Sequence, residues 1–456
     1  MNIDLMPYYA QPGPLPFPKR WATMPWRDSR PLPAESLQDS WQSLLQKALP
    51  RNKRLLYLHI PFCATHCTFC GFYQNPLQSG STERYTDYLL RELSMEADSP
   101  LLQGGPIHAI YFGGGTPSAL SAQQLHSIIS QLRKSLPLAP DCEITVEGRI
   151  FNFDDERIDA CLEAGANRFS IGVQTFNTRI RQRMGRKADR DQAIRFLTDL
   201  ATRDRAAVVC DLMFGLPHQT PEIWQEDLAI VRQLPLDGVD LYALNLLPTT
   251  PLAKSVENNR VELPTLAQQC DFYCSGADSL AQAGWHQLSN SHWARTTRER
   301  NLYNLLIKQG ADCLALGSGA GGSLQGHAYM QHRSLDNYYR LIDSGQKPLM
   351  MMTQASGEHP WRAKLQSGIE VGRLDLSELI ADPYPLMPLI SQWYQSNLLK
   401  DNSFCLRLTD SGRFGPAISC RHCKILFLHS SQRKATHEYV IVYKYIVLYE
   451  YIVLYE

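Results

Sequence analysis

From Lys53 to Leu244 short apolar runs alternate with longer amphipathic stretches, and this rhythm restricts the possible folds more than any other feature of the chain. Leu55 to Ile60, Ile107 to Phe112, Glu143 to Glu147, Arg168 to Gly172, Val208 to Phe214 and Gly238 to Leu244 read as strands. Between them, Glu83 to Ala97, Ala122 to Leu136, Asp154 to Glu163, Arg190 to Thr202 and Pro221 to Gln233 carry apolar residues at helical spacing. Strands that are apolar almost throughout are buried on both faces. Connections long enough to hold a helix make their neighbours parallel, with right-handed crossovers. Six such units predict an α/β fold built as a partial, open barrel. In such sheets ligands collect outside the carboxyl ends of the strands. The loop from His59 to Phe72, the Gly113 to Pro117 turn, Glu147, Gly172 to Gln174, Asp211 and Tyr242 to Asn245 all fall there.

The first of these loops holds Cys63, Cys67 and Cys70 in a CxxxCxxC spacing. Thiolates are soft ligands that select zinc or iron–sulfur clusters, and one short loop with this spacing can wrap a cubane. Three protein ligands on four irons leave one iron open to a small molecule. The alternative is a structural zinc site with His59 or His66 as fourth ligand, but such sites usually pair two short knuckles and no convincing second one is present.

The stretch YLHIPFCATHCTFCGF at Tyr57 to Phe72 resembles the cluster loop of the radical SAM superfamily, in the branch of oxygen-independent coproporphyrinogen oxidase. YFGGGTPS, GANRFSIGVQTF and DLMFGLPHQT follow in the order of that branch, and the resemblance runs to GSGAGG at Gly317 to Gly322. It implies a [4Fe–4S] cluster on Cys63, Cys67 and Cys70, and two molecules of S-adenosyl-L-methionine. Tyr57 and Ala243 match contacts of the first, Gln174, Arg186 and Asp211 match positions that hold the second, and Phe69, Gly114, Gly115, Thr116 and Glu147 would also bind the cofactors. The GSGAGG loop would close over the first molecule. Where most of the branch has Glu, a small residue, Asn and Pro, this chain has Glu147, Gly148 and Arg149. That departure resembles the anaerobic heme-degrading radical SAM methyltransferases of the HutW/ChuW type. In that family an electron from the cluster would generate a 5′-deoxyadenosyl radical, which draws hydrogen from the methyl of the second molecule. The methylene radical so formed would open heme to a methylated linear tetrapyrrole and release its iron. The resemblance also implies a reduced flavodoxin- or ferredoxin-type electron donor. An oxygen-independent coproporphyrinogen III oxidase or a heme-binding chaperone would share every cofactor motif.

The residue types suit these roles, with plainer readings beside them. Glycines after the second strand let backbone approach a ligand and offer amides, or merely make a tight turn. Glu147 suits a cationic amine or ribose hydroxyls, or is a solvated strand-end charge. Arg186 can clamp a carboxylate and Gln174 can read one, while Asp211 accepts from ribose or caps a turn. Arg149 pairs with a propionate or is structural. His286, His292, His327 and His332 read as satisfied histidines rather than heme ligands.

At 456 residues the chain is long enough for two or more domains, or for one large barrel with an appendage. We expect an N-terminal extended segment over 1–52, proline-rich from Pro14 to Trp26; the radical SAM partial barrel over 53–260; a barrel extension over 261–334; a small, mainly helical, winged-helix-like C-terminal domain over 335–414; and an aberrant tail over 415–456. That tail reads as frameshifted, ends in two copies of YIVLYE and contains a Cys420/Cys423 pair with no clear metal role. Equal counts of 45 basic and 45 acidic residues give no whole-chain pull toward nucleic acid or anionic membrane. No apolar run reaches the roughly 20 residues of a membrane span, and no signal peptide is evident. Twelve scattered cysteines suit a cytoplasmic, reducing compartment.

Overall fold

The computed structural model describes residues 5–11, 29–47, 52–355 and 359–414, apart from the side chains of 7 and 359–362. Pro14 to Trp26 and the tail beyond Phe414, with Cys420 and Cys423, lie outside these residues.

Six parallel strands occupy the expected positions: β1 (Arg54–Ile60), β2 (Ile107–Gly114), β3 (Leu138–Gly148), β4 (Arg168–Gln174), β5 (Ala207–Phe214) and β6 (Gly238–Ala243). Every residue of β1 is buried, as a strand covered on both faces requires. β3 starts at Leu138 rather than Glu143, because its first residues pair with Ile107 across a register shift. A seventh strand, β7 (Asp312–Leu316), pairs parallel with the outer edge of β1. Antiparallel strands then extend both edges. Among the described residues the sheet has 13 strands and remains open.

The crossover helices are punctuated by their sequence. Ser121 and Gln124 form a capping box that starts the helix Ala122–Ser135, and Asp189 with Gln192 does the same for Arg190–Thr202. Asp154 caps Asp155–Ala164, and Gly165 ends it in the left-handed conformation at φ +110°. Their apolar faces, such as Leu125, Ile128, Ile129 and Leu132, join the strands in one core.

Two expectations need correction. The leader is not extended throughout: Leu37–Leu45 is a helix whose Leu37, Trp41, Leu44 and Leu45 enter the main core, while Arg30 and Pro31 pair with Gln354 and Thr353. Its apolar residues sit three or four apart, and tertiary burial supplies what a helix this short lacks by itself. The helical unit also begins later than Leu335. Tyr338, Tyr339 and Ile342 belong to the main core, and Leu349–Gln354 is a strand of the main sheet. A separate small core follows, built from Leu365, Ile369, Leu389, Ile390, Trp393 and Leu398. It carries a two-stranded ribbon, Arg373–Asp375 with Cys405–Arg407. The leader docks on it: Ala10 N donates to Gln392 Oε1 at 2.9 Å, and Trp393 Nε1 to Tyr8 O at 3.0 Å.

Candidate active site

The carboxyl ends of β1 to β6 surround an open cavity of about 1270 Å³, mouth included. Cys63, Cys67 and Cys70 line one side of it. Their loop is held by Cys70 N donating to Cys67 O at 3.1 Å and by Thr68, whose carbonyl accepts from Leu252 N at 2.9 Å. Thr116 Oγ1 lies 3.4 Å from Cys63 Sγ, and Phe72 N donates to Cys70 Sγ at 3.4 Å. Burial pushes the Cys63 thiol up and that of Cys70 to about 11, so a metal must displace protons to bind there.

These donors fit an iron–sulfur cluster better than a zinc ion. Among the described residues no three His, Cys, Asp or Glu side chains close around a single ion position. His66 Nε2 sits 3.2 Å from Cys70 O and its ring stacks on Tyr73, while buried His59 is spent on Tyr57 Oη at 2.9 Å and Gln74 Nε2 at 3.1 Å. Burial lowers the His59 pKa to about 3, leaving a neutral ring. Three soft donors on one wall of an open cavity suit a larger centre with a free coordination position.

The glycine turn serves the cluster loop rather than presenting free amides. Gly115 N donates to Ile60 O at 2.8 Å, and a Cβ there would stand 2.8 Å from Phe62 O. Gly114, at φ +105°, would drive a Cβ into the His59 ring at 2.7 Å. Both still line the cavity with Thr116. Gly185, at φ +81°, likewise lets the RMGRK turn press against His66 O and the Cys67 Cα.

That turn delivers Arg186 to the cavity. Its Nη1 donates to Gly172 O at 3.3 Å, its guanidinium carbon lies 5.9 Å from the Phe69 ring centroid, and its buried Nε has no partner. Gln174 stands beside it with Oε1 equally buried and unpartnered, on a backbone held at φ +71°. Left-handed backbone is strained for a non-glycine residue, and such strain concentrates where a side chain must be aimed. Asp211 accepts from Ser170 Oγ at 3.0 Å, and Glu147 accepts from Tyr111 Oη at 2.6 Å. Burial, with the neighbouring Asp240 charge, lifts Asp211 to about 7. Burial lifts Glu147 to about 8 against the Tyr111 hydrogen bond, with the Asp211 charge adding to the rise.

Ten of the sequence-derived contact residues and thiols thus share the cavity with Phe69 and Ala243, but Tyr57 does not line it. Tyr57 is buried under the cluster loop against His59. The GSGAGG loop is also absent from the lining. Gly317 packs on His59 O and Gly319 on Gln74, so the loop braces the cluster loop from behind. None of the four tempting histidines lines the cavity. Burial alone would depress His292, but Asp240 at 2.9 Å and Glu299 at 3.0 Å raise it to about 9. Tyr111 and Ser170 are lining residues that motif reading missed. The available signal was polar side chains at alternate positions of otherwise apolar strands, which puts them on one face.

A family model described as the radical SAM superfamily matches residues 57–230. Anaerobilin synthase of Escherichia coli O157:H7 is 58% identical over 414 residues, covering 91% of this chain and 93% of that protein. Heme chaperone HemW of Synechocystis sp. is 30% identical over 63% of this chain and 70% of its own length. The solved structure of coproporphyrinogen III oxidase (HemN) from Escherichia coli superposes with a TM-score of 0.73 at 24% identity, over 89% of this chain and 96% of that one, which establishes a common fold. With its three-cysteine loop at the mouth of an open parallel barrel, this chain belongs to the radical SAM superfamily, in the family of anaerobilin synthase.

Proposed function

We propose that this protein is a radical SAM methyltransferase that opens the heme ring without oxygen, giving a methylated linear tetrapyrrole and releasing iron. The observation that carries the two-molecule site is that Arg186 and Gln174, each with a buried polar atom left unpartnered (Nε and Oε1), line the cavity that the three thiols also line. A site for one S-adenosylmethionine at a cluster needs no second carboxylate clamp. A second S-adenosylmethionine beside it does, in a coproporphyrinogen III oxidase as in a methyltransferase, so methyl transfer itself rests on the 58% likeness to anaerobilin synthase. The likeness to anaerobilin synthase supports heme as the substrate.

The cofactors are a [4Fe–4S] cluster on Cys63, Cys67 and Cys70, and S-adenosylmethionine; when bound, the cluster supplies the electron that cleaves the latter, and the radical chemistry is the cofactors' own. The chain's part is positioning and exclusion of water. Ala243 lines the first molecule's place and Phe69, Gly114, Gly115, Thr116 and Glu147 line the cavity the two molecules share; Arg186 and Gln174 hold the carboxylate of the second, and Asp211 its ribose. With its pKa lifted by burial, Asp211 can take up a proton and then donate to a hydroxyl as well as accept from one. Glu147 keeps its proton in the unliganded cavity and releases it when a cationic amine arrives. The electron donor in this reading is a reduced flavodoxin or ferredoxin. No helix among the described residues is long and apolar enough to cross a membrane, and the ten described cysteines are all free, which favours a reducing cytoplasm. The test is anaerobic turnover of heme with S-adenosylmethionine labelled in its methyl group: label in the linear product supports methyl transfer, and an unlabelled product rejects it.

A further inference from the structure

We propose that Arg149 sets the reduction potential of the cluster, through a charge-assisted hydrogen bond to one of its ligand sulfurs. The inference rests on the reading that Cys63, Cys67 and Cys70 hold that cluster. Arg149 leaves the end of β3 with its backbone N donating to Ser118 Oγ at 3.3 Å. Gly148, just before it, is wedged so tightly that a Cβ would stand 2.3 Å from the Phe153 ring, which fixes the direction of the chain. Arg149 then spends its fork on the cluster loop. Nη1 donates to Thr65 O at 3.0 Å and Nη2 to Cys67 Sγ at 2.6 Å. The expected propionate partner would have to compete with both contacts.

A guanidinium stays charged at any working pH and presents rigid, paired donors, so this contact puts a fixed positive charge on one ligand. Reduction adds one electron to a thiolate-held centre and moves no proton on Arg149. The cation therefore stabilises the more negative, reduced state more than the oxidised one, and hydrogen bonds to cluster sulfurs act in the same direction. Arg186 is the other cation close to this thiol group, but its hydrogen bond goes to Gly172 O. Arg149 is thus a tuning residue that acts through Cys67 and need not touch substrate.

The experiment compares the parent with Arg149→Gln and Arg149→Lys after anaerobic reconstitution, measuring iron and sulfide content and a potentiometric titration followed by the electron-spin signal of the reduced cluster. Arg149→Gln should hold parental iron and sulfide while its reduction constant falls about tenfold, a potential lower by ~59 mV for a one-electron couple. Arg149→Lys keeps the charge without the paired geometry and should fall by less. Full loading of Arg149→Gln at the parental potential overturns the proposal. If Arg149→Gln loses iron, Arg149→Lys decides: a lowered potential supports tuning, and a parental potential overturns it. Loss of iron in both variants makes Arg149 a loop anchor and also overturns it. Failure of the parent itself to assemble four irons would instead sink the cluster reading beneath it.

Discussion

Lys347 Nζ lies 2.7 Å from Glu92 Oε1 in the interior of the protein, joining residues 255 positions apart. The same ammonium reaches Glu96 Oε2 at 3.0 Å and Ala315 O at 3.1 Å. Trp41 Nε1 donates to Glu96, and Tyr338 Oη and Gly317 N donate to Glu92. One buried group therefore ties the leader, the first crossover helix, β7 and the GSGAGG loop together behind the cluster loop. Removing one partner of a buried pair leaves charge uncompensated, which typically costs about 3–5 kcal/mol. Lys347→Met should lower the urea midpoint accordingly, and a midpoint matching the parent would show that the group contributes little.

Gly148→Ala should destabilise by about 1–3 kcal/mol, the usual cost of forcing a methyl into a filled core. The new Cβ would meet Phe153 at 2.3 Å and Ile171 at 3.0 Å. Phe153→Leu in the same chain should recover part of the loss in chemical denaturation. An absence of any recovery would move the constraint elsewhere.

The parallel barrel was legible because its strands are apolar throughout and its helices carry their own caps. The helix Leu37–Leu45 was not, because proline and aromatic residues before it set the tone of the leader and its burial depends on β7 and its neighbours, far along the chain. Lys347 was placed with the helical unit for a similar reason: nothing local says that its partners are Glu92 and Glu96. At the site, the family resemblance pointed to Gln174, Arg186 and Asp211, all of which line the cavity, but spacing cannot say where a guanidinium points. Tyr57, matched by position to the first S-adenosylmethionine, lies under the cluster loop against His59, and Arg149, which the sequence left open between a propionate and a structural role, reaches Thr65 O and Cys67 Sγ.

Glu147 gives the unliganded protein a distinctive pH response. Its folded pKa of about 8 stands above the ordinary 4.5, so between those values the folded state holds a proton that the unfolded chain has released. Stability from this group is greatest below about 4.5 and declines as pH rises toward about 8. Glu147→Gln should match the parent near pH 4.5 and exceed it above pH 8, as urea midpoints across that range would reveal. A constant difference at all pH values would mean that the carboxyl is not perturbed.

Arg186→Ala removes a charge-assisted contact, commonly about 1.5–3 kcal/mol. Binding of the second S-adenosylmethionine should weaken about tenfold or more, since each 1.4 kcal/mol is roughly a factor of ten. The first molecule, held at the cluster, should be affected far less. Equilibrium binding to reconstituted protein should therefore resolve one retained and one weakened site; two unchanged sites would remove Arg186 from the clamp.

The choice of substrate is tested most directly by one anaerobic incubation of reconstituted protein with reductant, S-adenosylmethionine and either heme or coproporphyrinogen III, followed by mass spectrometry. The account predicts that heme becomes a linear tetrapyrrole heavier by a methyl-derived carbon, with iron released, while coproporphyrinogen III is untouched. Decarboxylation of coproporphyrinogen III with heme unchanged, or heme bound and recovered intact without consumption of S-adenosylmethionine, would contradict it.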